Sequence, residues 1–478
     1  MKHKILVLYA ILLLFGYGCR SVHGTETVEP ALIPIIKTAL YDSTSVFFGD
    51  FGNYPYRLGS APIGIFDSGT GGLTVLEAIL TFDGYNNITG AEGPDGVNDF
   101  AGESFIYLAD QANMPYGNYA PENKTDFLRE LIIQDALFLM GKRVKSIVVA
   151  CNTATATGLE DIRTLLEMSG TGVSVTGVIH AGAQGALESL SKEESGTIGV
   201  MATVGTIQTK GYERTIKEMA CELGYTGSLQ VVNQPAMGFA EAVDEEPDFL
   251  SRTATKPQSN YRGPSLGHLE FPIDPKILDL YHFDFSNNGM LYEGAPGAYT
   301  QLQLNSAQNY ARYHLISLLE KLRTTPDPQP LKVLIMGCTH YPYYKETLVE
   351  MLYKLRDYRS DGIYPYRDFI AEEVVMVDPA VNTAKALYLL LREQKMNATK
   401  QAFLKADFYI TVPNINLPEV DLTSQQRFTY DYKYGRNPGT FKEDVQTVPF
   451  SENNIDEEIL KRFRTTIPVT FSLIQDLH

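Results

Sequence analysis

Two short segments of this chain share one pattern: an apolar run ends at a cysteine, and hydroxyl-bearing residues follow. They are Val-Val-Ala-Cys-Asn-Thr-Ala-Thr at 148–155 and Leu-Ile-Met-Gly-Cys-Thr-His-Tyr-Pro at 334–342. The chain has only 4 cysteines, so matching contexts for Cys151 and Cys338 are hard to attribute to chance. The pattern is typical of the carboxyl end of a buried parallel strand, where open α/β sheets bind ligands. Two thiols on opposite sides of one ligand would form an acid–base pair.

Apolar runs and amphipathic stretches alternate along the chain from residue 61 onward. This alternation, with β-branched residues in the runs, predicts an α/β fold of parallel sheets covered by helices. The predicted strands are 63–66, 105–108, 146–150, 197–201, 229–232, 332–336 and 374–377. The predicted helices are 73–80, 124–140, 158–168, 181–190, 207–223, 307–322, 344–355 and 383–393.

Three segments interrupt this alternation, at 83–103, at 244–305 and after Pro413. They are rich in Gly, Asn, Asp, Pro or Tyr and show little periodicity, so we predict irregular structure for them. Long irregular segments within a compact domain are usually functional or mobile. The acidic residues of 83–103 do not have the spacing of an EF-hand, which favours a solvated loop.

The composition limits the classes of partner. A chain of 478 residues is long enough for two or three domains, and 44% hydrophobic with 20% charged residues is ordinary for a soluble globular protein. The net charge of -17 argues against nucleic acid, because phosphate binding needs a basic surface. A small acidic ligand is still compatible with this negative net charge, since backbone amides and hydroxyls can bind a carboxylate locally.

The N-terminal segment has the features of an export signal. Lys2 and Lys4 precede an apolar run at 5–15 that is too short to span a bilayer, and small residues then lead to Cys19. The segment resembles a lipobox, so we predict an exported, periplasmic or outer-surface protein attached to the membrane through a lipidated Cys19. The alternatives are ordinary secretion, or a cytoplasmic protein if the segment is not a functional signal.

Together the motifs resemble those of glutamate racemases, in the aspartate/glutamate racemase superfamily. The matching segments occur in the family's order: 64–69 with 71–74, 108–110 with 115–117, 150–155, 177–179, 202–207 and 337–342. The resemblance implies interconversion of L- and D-glutamate by two bases, with no cofactor and no metal. It also implies that D-glutamate serves peptidoglycan assembly, which is cytoplasmic and therefore conflicts with export.

The resemblance assigns catalytic roles to four residues. Cys151 and Cys338 would act on opposite faces of the substrate Cα, Asp67 would orient or deprotonate Cys151, and His340 would do the same for Cys338. Cysteines suit the reaction. One base alone would tend to return the proton to the face it left, whereas a thiol and a thiolate on opposite faces exchange roles symmetrically. Alternatively, the two cysteines could be buried core thiols with no catalytic role.

The resemblance also assigns substrate-binding positions, which offer hydroxyls, amides and backbone N–H groups. Each could instead be an ordinary turn or helix cap, as Asp110 is expected to be. Glu241 is included although its distance from the preceding proline is one residue shorter than in the family. The predicted substrate-binding residues are Ser68, Tyr116, Gly117, Asn152, Thr153, Thr206, Thr339 and Glu241.

The resemblance further implies two α/β domains with the active site in the cleft between them. The predicted divisions are a signal at 1–19, a lead-in or tether at 20–60, a first domain at 61–177 with a return segment at 379–412, a second domain at 178–378 that includes 244–305, and an extension at 413–478. Two alternatives to glutamate racemisation remain at this stage: a racemase of aspartate or another amino acid, and a surface lipoprotein that binds a ligand without catalysis. The sequence leaves open whether the protein forms an oligomer.

Overall fold

The computed structural model describes residues 32–55, 57–360, 362–398, 405–451, 454–455 and 457–475. The predicted signal at 1–19, including Cys19, lies outside these residues and remains a prediction. The described part of the lead-in contains a helix whose Ile35, Ile36 and Ala39 are buried in the core. In the described part of the chain, no helix is both long and apolar enough to cross a bilayer.

The regular elements follow the predicted alternation. The described strands are β1 (Ile63–Asp67), β2 (Ser104–Ala109), β3 (Ser146–Val149), β4 (Ser174–Gly177), β5 (Gly196–Ala202), β6 (Leu229–Pro235), β7 (Met290–Ala295), β8 (Ala298–Leu304), β9 (Leu331–Gly337), β10 (Ile370–Val377), β11 (Lys405–Pro413) and β12 (Val445–Pro449). The described helices are α1 (Pro34–Tyr41), α2 (Leu73–Leu80), α3 (Thr125–Gly141), α4 (Asn152–Ser169), α5 (Val178–Glu188), α6 (Val204–Gln208), α7 (Gly211–Glu222), α8 (Phe239–Val243), α9 (Ala307–Thr324), α10 (Lys345–Asp357), α11 (Pro379–Glu393), α12 (Tyr430–Gly435), α13 (Glu457–Thr466) and α14 (Pro468–Gln475).

Two parallel sheets organise the described residues. The first has the strand order β12-β11-β2-β1-β3-β4 and is parallel except for β12. The second has the order β10-β9-β5-β6 and is parallel throughout. Every residue of β1 and β5 is buried, as expected for strands covered by helices on both faces. The predicted α/β class with parallel sheets is therefore confirmed.

The predicted irregular segments contain regular structure that the sequence interpretation missed. Within 244–305, β7 and β8 form an antiparallel hairpin whose Met290, Leu302 and Leu304 join the core. Beyond Pro413, β12 pairs with β11 at the edge of the first sheet, and α14 packs against α2. The prediction of irregular structure for these two segments, which rested on their Gly, Pro, Asn and Tyr content, was thus partly wrong.

Two helix predictions also need correction. The predicted helix 207–223 is interrupted at Lys210, whose φ of 54° is left-handed, so that α6 and α7 are separate helices. The predicted helix 158–168 begins earlier, at Asn152, directly after Cys151. The second correction matters for function, since it places Cys151 at a helix N-terminus.

Strand register brings the candidate residues to matching edges. Asp67 at the end of β1 pairs with Ala109 of β2, and Phe66 pairs with Val149 of β3. In the second sheet, Ala202 at the end of β5 pairs with Gly337 of β9. Residues that directly follow these strands therefore lie side by side at the carboxyl edge of each sheet.

Candidate active site

Cys151 is the residue that caps the N-terminus of α4. Its Sγ accepts a hydrogen bond from the backbone N–H of Ala154 at 3.4 Å and lies 3.7 Å from Oγ of Ser68. Burial and, after it, the neighbouring Asp67 raise the pKa of the Cys151 thiol well above its usual value, although the Ala154 N–H opposes this. Cys151 therefore carries its proton at neutral pH.

Asp67 at the end of β1 is the carboxyl group beside Cys151. Its Oδ2 accepts a hydrogen bond from the backbone N–H of Gly72 at 2.7 Å, which fixes the carboxyl at the start of the turn into α2. Burial raises the pKa of Asp67, while the charge of His340 and hydrogen bonds from Gly72 and Cys151 act in the opposite direction. The carboxyl can thus exchange a proton with the thiol it contacts.

Cys338 follows β9 and is paired with a histidine. Its Sγ lies 3.3 Å from Nδ1 of His340, and Nε2 of the same ring lies 2.8 Å from Oδ2 of Asp244. The second contact is an ion pair whose N–H is not aligned as a hydrogen bond. Burial by itself would lower the pKa of His340, but Asp244 and then Cys338 raise it well above its usual value. The raised pKa favours the imidazolium form of His340, and the ring connects the Asp244 carboxyl with the Cys338 thiol.

The two cysteines line one cavity of about 30 Å³ between the carboxyl edges of the two sheets. Of the predicted site residues that the structure describes, all except Thr206 line it. Its other lining residues, which were not predicted as site residues, are Met114, Pro115, Thr203, Ala240, Asp244 and Glu246. The prediction that the motifs come together in one site thus agrees with their positions in the structure, and the roles of the individual residues remain predictions.

Thr206 lies behind the cavity wall in a group of three hydroxyls. The Oγ1 atoms of Thr153, Thr203 and Thr206 lie 2.9–3.0 Å from one another. Thr153 belongs to the first turn of α4 and Thr203 caps α6, so the group joins the two sheets at the cavity. Tyr212 of α7 reinforces this junction by donating a hydrogen bond of 2.6 Å to Oδ1 of Asn152.

Tyr116 on the opposite wall is held by two buried carboxyls. Its hydroxyl lies 2.6 Å from Oδ2 of Asp110 and 2.7 Å from Oδ2 of Asp135. A hydroxyl has one proton to donate, so one of the two carboxyls must be protonated and donate to Tyr116. Burial and then the charge of Asp110 raise the pKa of Asp135 well above its usual value, and burial also raises the pKa of Asp110. Asp110, expected to act only as a cap, therefore anchors a cavity residue.

Curated relatives identify the family. The chain is 32% identical over 226 residues to the glutamate racemase of Stutzerimonas stutzeri, an alignment that covers 47% of this chain and 71% of the relative. It is 28% identical over 330 residues to the glutamate racemase of Geobacter metallireducens, covering 69% of this chain and 80% of the relative. The chain belongs to the glutamate racemase family. This protein is accordingly an amino-acid racemase, an isomerase. No protein-family model matches the chain.

Solved structures similar to this racemase include two glutamate racemases. The enzyme of Francisella tularensis in complex with D-glutamate is 22% identical, with 80% of this chain and 95% of that chain covered and a TM-score of 0.44. The RacE1 isoform of Bacillus anthracis is also 22% identical, with 73% and 86% covered and a TM-score of 0.44.

Two acidic residues of α8 and the turn after it stand near His340 in the racemase. Glu241 lines the cavity, and burial raises its pKa to about 7. Asp244 lies three residues further along and makes the ion pair with His340. Asp244 stands at the start of a segment predicted to be irregular, and it was not predicted as a site residue. The sequence did indicate Asp244, because it lies three residues after the predicted site residue Glu241, and residues three apart along a helix lie on the same side.

Gly71 lets the turn after β1 approach the loop that carries Cys338. A Cβ atom at Gly71 would lie 2.6 Å from Oγ1 of Thr339 and 2.8 Å from Cε1 of His340. We expect Gly71→Ala to lower kcat/KM of the racemase by about 100-fold, because a displacement of about 1 Å at a reacting group has that effect. Gly141→Ala is the matched control, since a Cβ there meets no atom within 4 Å. Equal kcat/KM for both variants in a racemisation assay would contradict the steric argument.

Proposed function

We propose that this racemase interconverts L- and D-glutamate without a cofactor, with Cys151 and Cys338 as the two proton carriers. The observation that carries the proposal is the placement of two buried thiols, one from each sheet, on one cavity. Each thiol has its own ionisable partner, Asp67 for Cys151 and His340 for Cys338. A protein that only bound a ligand would need neither the thiol pair nor these partners.

The two thiols of the cavity have different ionisable partners. Cys151 holds its proton, because burial and Asp67 raise its pKa. On the other side, Sγ of Cys338 lies 3.3 Å from Nδ1 of His340, so the imidazole can exchange a proton with this thiol. Each thiol therefore has an ionisable side chain beside it through which a proton can be gained or lost.

The reaction then needs two proton transfers. The Cys338 thiolate takes the Cα proton of one enantiomer, the C–H electron pair stays on the substrate as a carbanion, and the S–H of Cys151 delivers a proton to the opposite face. The products are the other enantiomer, a Cys338 thiol and a Cys151 thiolate. Proton exchange with Asp67 and His340 or with solvent restores the starting state, and the reverse reaction uses the opposite assignment.

The charge of the cavity supports a dicarboxylate substrate. Burial raises the pKa values of Asp67, Glu241 and Glu246, so these carboxyls carry less negative charge than their number suggests. The positive charge of His340 is paired with Asp244, and the hydroxyls of Thr153, Thr203 and Thr339 can donate hydrogen bonds to substrate carboxylates. Glutamate is the first substrate to test, because the curated relatives are named glutamate racemases. The use of D-glutamate in peptidoglycan is part of the proposal and depends on the family resemblance.

The decisive measurement follows the optical activity of L-glutamate and then of D-glutamate by circular dichroism, with the purified racemase in reductant. We expect both signals to decay to zero, and in deuterium oxide the Cα position of the substrate should take up deuterium. Decay with aspartate alone would assign the other substrate. No decay and no deuterium uptake with either amino acid would contradict the proposal in favour of ligand binding without catalysis.

A further inference from the structure

The C-terminal extension reaches the acid–base pair through one side chain. Arg462 of α13 places Nη2 at 3.3 Å from Oδ1 of Asp244 and donates from Nη1 to the backbone oxygen of Val243 at 2.7 Å. The other carboxylate oxygen of Asp244 faces His340. Both oxygens of this buried carboxylate are therefore held, one by each cation.

We propose that Arg462 is a positioning residue for the Cys338–His340 pair and acts through Asp244. The inference builds on the proposed function, and it assigns a catalytic purpose to an extension that the sequence analysis left unexplained. No atom of Arg462 needs to contact the substrate for this role.

The physical basis is the shape of the guanidinium group. Its planar fork bonds one side-chain oxygen and one backbone oxygen of neighbouring residues, so it fixes both the rotamer of Asp244 and the backbone that carries it. Burial alone would raise the pKa of Asp244, but His340 and then Arg462 lower it, and the carboxylate stays ionised. Without Arg462, Oδ1 would lose its charged partner inside the protein, and Asp244 could turn away from His340 or take up a proton.

A purely structural role for Arg462 is the competing explanation, and the chain offers a matched control for it. Arg462 also packs over the ring of Tyr343, with Cζ 5.3 Å from the ring centroid. Arg464 on the same helix packs over Phe471 at 5.5 Å in a similar way. Phe471 belongs to the hydrophobic core and does not line the cavity. Arg464→Ala therefore removes a comparable cation–π contact without affecting Asp244.

The test is a double-mutant cycle measured by racemisation of glutamate. We expect Arg462→Ala to lower kcat by about 10- to 100-fold with KM changed by less than about threefold, because coupled neighbours interact by amounts of this size. Arg462→Lys should recover part of the loss, and Arg464→Ala should stay within about twofold of wild type. In an Asp244→Ala background, adding Arg462→Ala should lower kcat by less than about threefold, since the residue it acts through is already absent.

The outcomes separate the two roles. The proposal would be overturned if Arg462→Ala lowered kcat by the same factor in the wild-type and Asp244→Ala backgrounds. It would also be overturned if Arg464→Ala lowered kcat as much as Arg462→Ala does. Either result would show that Arg462 only stabilises the local structure. An independent readout does not depend on activity: the ring carbon resonances of His340 in protein labelled with 13C-histidine, assigned with His340→Gln. These resonances should move in Arg462→Ala and stay in place in Arg464→Ala, even if wild-type protein fails to racemise glutamate. Unchanged resonances in Arg462→Ala would also overturn the inference.

Discussion

Cys151→Ser and Cys338→Ser should each lower kcat for racemisation of glutamate by about 10²- to 10⁴-fold, the contribution of a positioned acid or base. A serine hydroxyl has nearly the size of the thiol but is a far weaker acid, so the change removes a proton carrier and preserves the packing. Both cysteines are buried and line the cavity, which leaves no room for solvent to replace them readily. Circular dichroism of both enantiomers measures the loss.

Isotope exchange makes this prediction sharper. Each variant keeps one thiol, so it should still exchange the Cα hydrogen of one enantiomer with deuterium from solvent while failing to invert it. The two variants should act on opposite enantiomers. Cys221→Ser is the matched control, because Cys221 is exposed on α7, outside the cavity, and its replacement should leave kcat unchanged. Full racemisation by either active-site variant would rule out the two-thiol mechanism.

The sequence was sufficient to predict the parts of the site that strand ends determine. Asp67, Cys151 and Cys338 each terminate or follow a buried strand, and the carboxyl ends of neighbouring parallel strands must lie at one edge. Their approach in space therefore follows from local patterns once the sheets are recognised. The same reasoning explains why seven predicted strands are present in the described chain, with bounds that differ by a few residues.

Contacts that join distant, irregular parts of the chain could not be predicted in this way. Arg462 and Asp244 are 218 residues apart, and neither lies at the end of a predicted strand. Nothing in the local pattern of either residue indicates the other. Such a pair depends on how the extension folds back over the first sheet, which is decided by packing of α14 against α2 and β11 rather than by periodicity.

Strand β11 is a different case, because its signal was present and was missed. Ala406, Phe408 and Ile410 are buried and alternate with more exposed residues, the pattern of a strand near the edge of a sheet. Its pairing with β2 places Thr411 where Oγ1 donates to Oδ1 of Asp110. Recognition of this strand would have linked the return segment directly to the network that holds Tyr116.

Lys145→Met should lower the free energy of unfolding by about 3–5 kcal/mol, the typical effect of removing one partner from a buried ion pair. In the sequence, Lys145 resembles an ordinary surface lysine before β3, yet its side chain is fully buried. Its Nζ pairs with Glu103 and donates to the backbone oxygens of Gly59 at 3.1 Å and Met396 at 2.7 Å. The lysine thus joins the segment before β1, the start of β2 and the end of α11.

The size of this effect comes from the partner that remains. Burial lowers the pKa of Lys145 and Glu103 acts in the opposite direction, so the charge of the lysine depends on the carboxylate beside it. Lys145→Met leaves a buried carboxylate with no cation, whereas Lys145→Met combined with Glu103→Gln leaves no charge and should recover part of the loss. Urea unfolding followed by circular dichroism measures both variants, with Lys142→Met as the control because the Lys142 side chain is exposed. A double variant no more stable than Lys145→Met would show that the lysine acts through packing or its backbone contacts, and not through the ion pair.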